Sequence, residues 1–160
     1  SRLALEGGLV RGVRRASSTS IFTPGSELRL SFSQPDHPLT YGYGRETSVF
    51  RNNEMVYDLP VRWTTMAYCQ SCLDGPVDRR FVVATWGADG PMAVSGGMRG
   101  EAELKGRPAI LDVPVGRGRI VAYNFSPIHR DMTRSDHRAL WNAIINWRAL
   151  VDNHTASDQK

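Results

Sequence analysis

The stretch Lys105-Gly-Arg-Pro-Ala-Ile-Leu-Asp-Val-Pro-Val-Gly-Arg-Gly-Arg-Ile-Val-Ala-Tyr-Asn-Phe125 decides the fold. Ala109 to Val113 and Arg119 to Phe125 are two apolar runs, and Gly116-Arg117-Gly118 between them supplies the positive-φ positions of a tight reversal. They predict a hairpin. A helix follows, with Ser135 as N-cap and Asp136 set against the positive end of the helix dipole. Leu140, Trp141, Ile144 and Ile145 recur at helical spacing, widened by Trp147 and Val151, and predict an apolar stripe covering the sheet as far as Leu150. The pattern is the closing unit of an α/β domain: a mixed sheet, the Gly116–Gly118 hairpin and a C-terminal covering helix.

Upstream, Leu28 to Phe32 alternates with period two and predicts a half-buried strand. Arg80 to Trp86 is apolar and β-branched, the signature of a central strand. Leu9 to Val13, Ser48 to Phe50, Met55 to Tyr57 and Met92 to Val94 predict shorter strands. Arg14 to Ser20, Tyr41 to Gly44 and Asp74-Gly75-Pro76 read as loops, and Pro24-Gly25 and Asp89-Gly90-Pro91 as turns. Two prolines keep Gln34 to Pro38 out of any strand interior. Residues 1–151 form the domain, and 152–160 a polar, fraying tail.

A length of 160 residues is one domain, able to bury roughly 70% of its unfolded surface. The net charge of +4 is dispersed, with Arg14-Arg15 and Arg79-Arg80 the densest spots, so it points to solubility and not to a nucleic-acid interface. No apolar run is long enough to span a membrane. Leu3 to Gly8 reads as a helix tail with a glycine stop, which predicts that the chain begins inside a larger protein.

Chemistry-bearing residues are scattered. Cys69 and Cys72 form one Cys-x-x-Cys without the second pair or the suitably spaced histidines of a structural zinc site. They are read as two thiols or a small-loop disulfide. His37 precedes Pro38 in a loop, His137 sits near the helix start and His154 lies in the tail. His129 with Asp131 follows a strand end, a place where α/β proteins carry functional groups, and is read as a surface or capping residue. Gly42-Tyr43-Gly44 lacks the strand and helix of a dinucleotide fingerprint, and Ser95-Gly96-Gly97 is no nucleophile elbow. Asp112 lies in a strand and is placed to point inward. Arg117, Arg119, Arg130 and Arg134 form a rim near the hairpin and helix start.

The stretch Val94 to Arg130 resembles the C-terminal region of bacterial zinc metallocarboxypeptidases of the carboxypeptidase A-like family. In these the peptidase domain is followed by a domain similar to class I glutamine amidotransferases. Glu6-Gly-Gly-Leu9, Pro24-Gly-Ser-Glu-Leu28, His37-Pro-Leu-Thr-Tyr-Gly42 and Ala139 to Leu150 fit the same template. The resemblance implies the C-terminal part of a flavodoxin-like, amidotransferase-like domain. A hairpin of this type also occurs in similar accessory domains of glycosidases. The family's His-x-x-Glu zinc site, catalytic Glu and substrate-binding Arg have no counterpart at any numbered position, and the amidotransferase-like nucleophile is expected upstream of Ser1.

The expectation is therefore a non-catalytic accessory domain of a larger hydrolase, acting in domain packing, self-association or substrate access. Its partners are the peptidase domain of the same polypeptide and a second copy, with zinc expected only in that peptidase domain. Family analogy favours an exported protein. Two alternatives stand beside it: a carbohydrate- or anion-binding module using Tyr41, Tyr43, Trp63 and the arginines, and a free-standing enzyme using Cys69 or His129.

Overall fold

The hairpin is the best-specified part of the computed structural model, which describes residues 7–10, 13–18, 20–58, 81–87, 89–131 and 133–150. The strands are β1 (Arg14–Arg15), β2 (Pro24–Phe32), β3 (Glu46–Asn52), β4 (Tyr57–Asp58), β5 (Val82–Trp86), β6 (Ala93–Ser95), β7 (Pro108–Val115) and β8 (Gly118–Tyr123). The helices are α1 (Glu101–Leu104) and α2 (Arg134–Ile145), with 3-10 turns at Pro38–Thr40 and His129–Asp131. The architecture is α/β: an antiparallel sheet in the order β3-β2-β5-β7-β8, with β6 also on β2 and a separate β1–β4 ribbon.

β7 and β8 pair from Ile110 with Tyr123 to Val115 with Gly118, which leaves a loop of Gly116 and Arg117. Of the two expected glycine positions only Gly116 takes a positive φ, at 58°. That is enough for a two-residue reversal with glycine leading. β7 is buried on both faces from Pro108 to Val113, as a central strand must be. On one side lie Leu28, Leu30, Trp86, Ile110 and Phe125. On the other lie Val13, Tyr57, Val82, Leu111 and Val113.

β5 lies between β2 and β7, so the expected central strand is central. β5 and β6 share one edge of β2: Phe32 and Leu30 face Ala84 and Trp86, then Leu28 and Glu27 face Ala93 and Ser95. They are one strand direction interrupted by a short excursion. β2 buries Ser26, Leu28, Leu30 and Phe32 in alternation. It begins earlier than the alternation suggests. Pro24-Gly25, read as a turn, is a bulge within the strand, because Gly25 with φ 78° serves a bulge as readily as a reversal.

Other expectations need correction. Every strand pairing among the described residues is antiparallel, where a mixed sheet was expected. Leu9 and Val10 lie in a bend, not a strand. Arg14–Arg15, read as loop, pairs with Tyr57–Asp58, a long-range match that local propensity does not carry. Thr133, not Ser135, is the N-cap of α2. The Thr133 hydroxyl donates to Asp136 Oδ2, and Asp136 N–H donates to the Thr133 carbonyl, which fixes the start two residues earlier. Residues 147–150 form a further helical turn, and Leu150 is buried in the core.

Candidate docking surface and buried polar network

α2 packs on the Pro38–Thr40 turn and on β3 through polar anchors. Asn142 Nδ2 donates to the carbonyls of Leu39 and Tyr41, both at 2.9 Å. Tyr43 Oη donates to the Ser135 carbonyl and accepts from the Ala139 N–H. Tyr123 Oη donates to the Ala139 carbonyl at 2.9 Å. Asp136 Oδ2 accepts from the Phe50 N–H of β3 at 3.0 Å. Burial pushes the Asp136 carboxyl up, and its hydrogen bonds only partly offset this. Burial also raises the Tyr43 phenol to about 12.

These anchors set the rotation of α2 and overturn the expected stripe. Asp136 and Ala139 face inward, with Asn142 and Ala143 half-buried beneath them. Trp141, Ile144, Ile145 and Trp147 face outward, 56%, 53%, 72% and 57% exposed. Periodicity alone assigns large apolar residues to the core. Here six hydrogen bonds, made by Asn142, Tyr43, Tyr123 and Asp136, take the inner face instead. The helix therefore carries an exposed apolar cluster on the side away from the sheet.

The second feature is buried. Asp112 on β7 is 1% exposed and accepts from Arg119 Nε on β8 at 2.7 Å. His37 Nε2 lies 3.1 Å from Asp112 Oδ2, off the line of a hydrogen bond, so this oxygen has a close contact and no formed bond. His37 Nδ1 accepts the Leu39 N–H and so N-caps the Pro38–Thr40 turn. That acceptor role puts the ring proton on Nε2, facing the carboxylate. Burial works to raise the Asp112 carboxyl, but His37 and Arg119 outweigh it and hold it below the usual range. The inward placement of Asp112 was readable; its partner His37, assigned to a loop, was not. The signal that could have found it is His37-Pro38, because proline at the first helical position marks the residue before it as a cap.

A third network ties the core to the loop at 53–55. The buried Arg51 guanidinium donates to Thr23 Oγ1 and to the Glu54 carbonyl and lies 5.7 Å from the Trp86 ring centre. Trp86 Nε1 donates to Asn124 Oδ1 at 2.9 Å, and Asn124 Nδ2 reaches the Met55 carbonyl.

The remaining sequence candidates do not converge. His129 stacks on Phe50 with ring centres 4.5 Å apart. Arg130 and Asp131 follow it in the left-handed region, at φ 51° and 55°. Asp131 lies 3.7 Å from His137 Nε2 and 3.8 Å from Arg134. Arg117 and Arg130 are exposed, and Arg119 is committed to Asp112. Tyr43 is spent on α2 while Tyr41 is half exposed, so the aromatic pair forms no platform. Gly42 gives its carbonyl to Arg138. Cys69, Cys72, Trp63 and His154 lie outside the described residues, as do residues 74–76 and the tail.

A cleft of about 390 Å³ is lined by Ser33, Asp58, Val82, Thr85 and Arg107, and the Arg107–Asp58 pair at 2.8 Å spans its wall. Among the described residues no group of three or more His, Cys, Asp or Glu gathers as metal ligands, and no helix is long and apolar enough to cross a membrane. Comparison of the chain with family models, curated proteins and solved structures yields no match.

Proposed function

We propose that this chain is a non-catalytic accessory domain of a larger hydrolase, of the zinc metallocarboxypeptidase type that Val94 to Arg130 resembles, and that it acts by docking through the outer face of α2. The observation that carries the reading is the outward set of Trp141, Ile144, Ile145 and Trp147 on a helix whose inner face is already satisfied. Such a surface costs water contact until something covers it.

The polar groups support the same reading. His37 caps a turn, Arg119 neutralises Asp112, and Asp136 fastens α2 to β3. Each serves the fold, and a group so committed is poorly placed to move a proton to or from a substrate. The finer architecture belongs to this proposal as well: the β7–β8 hairpin followed by α2 is the C-terminal part of an amidotransferase-like domain. In that arrangement the zinc and the catalytic residues sit in the peptidase domain of the same polypeptide.

The test is the coding sequence upstream of Ser1. A continuous reading frame with a His-x-x-Glu peptidase domain is the expected result. A frame that encodes no hydrolase there refutes the proposal, as does peptidase or esterase turnover by the purified 160-residue chain.

A further inference from the structure

We infer that the occupant of the outer α2 face is a second copy of this chain, so that two domains pair through antiparallel α2 helices. The inference rests on the docking reading and names its partner.

The first argument is self-complementarity. Trp141, Ile144, Ile145 and Arg148 stand at i, i+3, i+4 and i+7, one continuous face of the helix and the turn that follows it. A two-fold axis between Ile144 and Ile145 places Ile144 against the partner's Ile145 and Trp141 against the partner's Arg148. The centre is then aliphatic on both sides, and each indole meets a guanidinium, a favourable cation–π pairing. Arg148 is exposed and lies 5.4 Å from the Trp147 ring centre, so its guanidinium already rests against an indole of the same helix end. A patch that meets its own image with no like charges at the centre is what an isologous interface requires.

The second argument is area. A whole aromatic side chain presents roughly 150–250 Å², so the exposed parts of two tryptophans and two isoleucines amount to about 500 Å². Arg138 and Arg148, both exposed, stand at the polar ends of this surface. The patch supplies somewhat over half of the ~800 Å² per partner of a standard interface, the size of a weak, concentration-dependent contact. It has the expected anatomy too: apolar centre, tryptophan and arginine enriched, charge at the edge. The net charge of +4 opposes pairing only weakly, since screening at physiological salt acts within ~8 Å.

The experiment is sedimentation equilibrium of the 160-residue chain at low to high micromolar concentration, beside Ile145→Asp and Arg148→Glu. The wild type is expected to be a dimer. Ile145→Asp should raise the dimer dissociation constant about 30-fold or more, because it places a carboxylate at the centre of the contact. Arg148→Glu should weaken it less. Both variants should keep the wild-type circular dichroism, since neither side chain reaches the core, while the melting temperature of Ile145→Asp should lose the concentration dependence that dimerisation gives the wild type. A wild-type monomer throughout the range overturns the inference, and so does a dimer indifferent to Ile145→Asp. If the monomer instead binds the upstream peptidase domain and Ile145→Asp abolishes that, the second copy fails as occupant while the docking reading survives. If the monomer cosediments with anionic vesicles, both fail in favour of a membrane surface. Turnover by the purified chain removes the accessory reading without touching the dimer measurement.

Discussion

Replacing Asp112 by Asn tests whether the buried His37–Asp112–Arg119 contact holds β7, β8 and the Pro38–Thr40 turn together. Asn keeps the shape, but its single carbonyl oxygen can accept from Arg119 Nε or stand against His37 Nε2, not both, and the amide then turns a donor toward the other nitrogen. An unsatisfied buried donor costs about 1–3 kcal/mol, and removing one member of a buried ion pair about 3–5 kcal/mol. Because Asn retains one hydrogen bond, a loss of about 3 kcal/mol is expected, which lowers the melting temperature by roughly 6–12 °C for a chain of this size. The pH dependence gives a second check. Asp112 is held below its ordinary range, so its contribution is complete above the unfolded value of about 3.9 and fades as pH falls through the lower folded value. Urea titrations of wild type and Asp112→Asn from neutral to acid should show a constant gap that closes below about pH 4. Pairing Asp112→Leu with Arg119→Met should recover most of the loss, since both charges leave together. A single-variant loss under about 1 kcal/mol, or a gap unchanged into strong acid, refutes the reasoning.

Other outcomes follow from the same geometry. Asp136→Ala removes the acceptor of the Phe50 N–H and should cost about 1–3 kcal/mol by chemical denaturation. The Asp136 pH sign is opposite to that of Asp112: with its folded pKa raised, its contribution is greatest in acid and declines as pH rises through that value. Tyr43→Phe loses two contacts to α2 and should cost about 1–2 kcal/mol; in the wild type the phenol should ionise near pH 12 by ultraviolet absorbance, and its contribution should be complete below about pH 10 and lost as pH rises through about 12. Gly100→Ala combines a φ of 75° with a Cβ 2.8 Å from the Ile21 backbone, whereas Gly106→Ala has φ 77° and open space. Melting curves should rank Gly100→Ala as the worse, with Gly106→Ala costing about 1–2 kcal/mol for the left-handed backbone alone.

What the sequence disclosed follows the range of the forces involved. The β7–β8 hairpin, the alternation of β2 and the central place of β5 were legible, because apolar patterning and a glycine turn are local signals. The existence of α2 was legible for the same reason. Its rotation was not, because the anchors Tyr43, Asn142 and Asp136 reach segments about a hundred residues away in the chain. Without them the large apolar residues belong inside, which is how Trp141 and Ile145 came to be assigned to the core. The β1–β4 ribbon escaped for a related reason: two arginines carry no strand preference, and only the register with Tyr57–Asp58 makes them one. Asp112 was read as a strand residue able to point inward, but a single carboxylate does not name its partners.

The way α2 is fastened separates two jobs that most helices perform with one set of side chains. Adhesion to the body of the domain is delegated to hydroxyl, amide and carboxylate groups underneath. The residues on top are thereby released from any duty to foldability. Selection can exchange tryptophan or isoleucine there for other side chains, retuning what the domain sticks to while the scaffold beneath stays as it was.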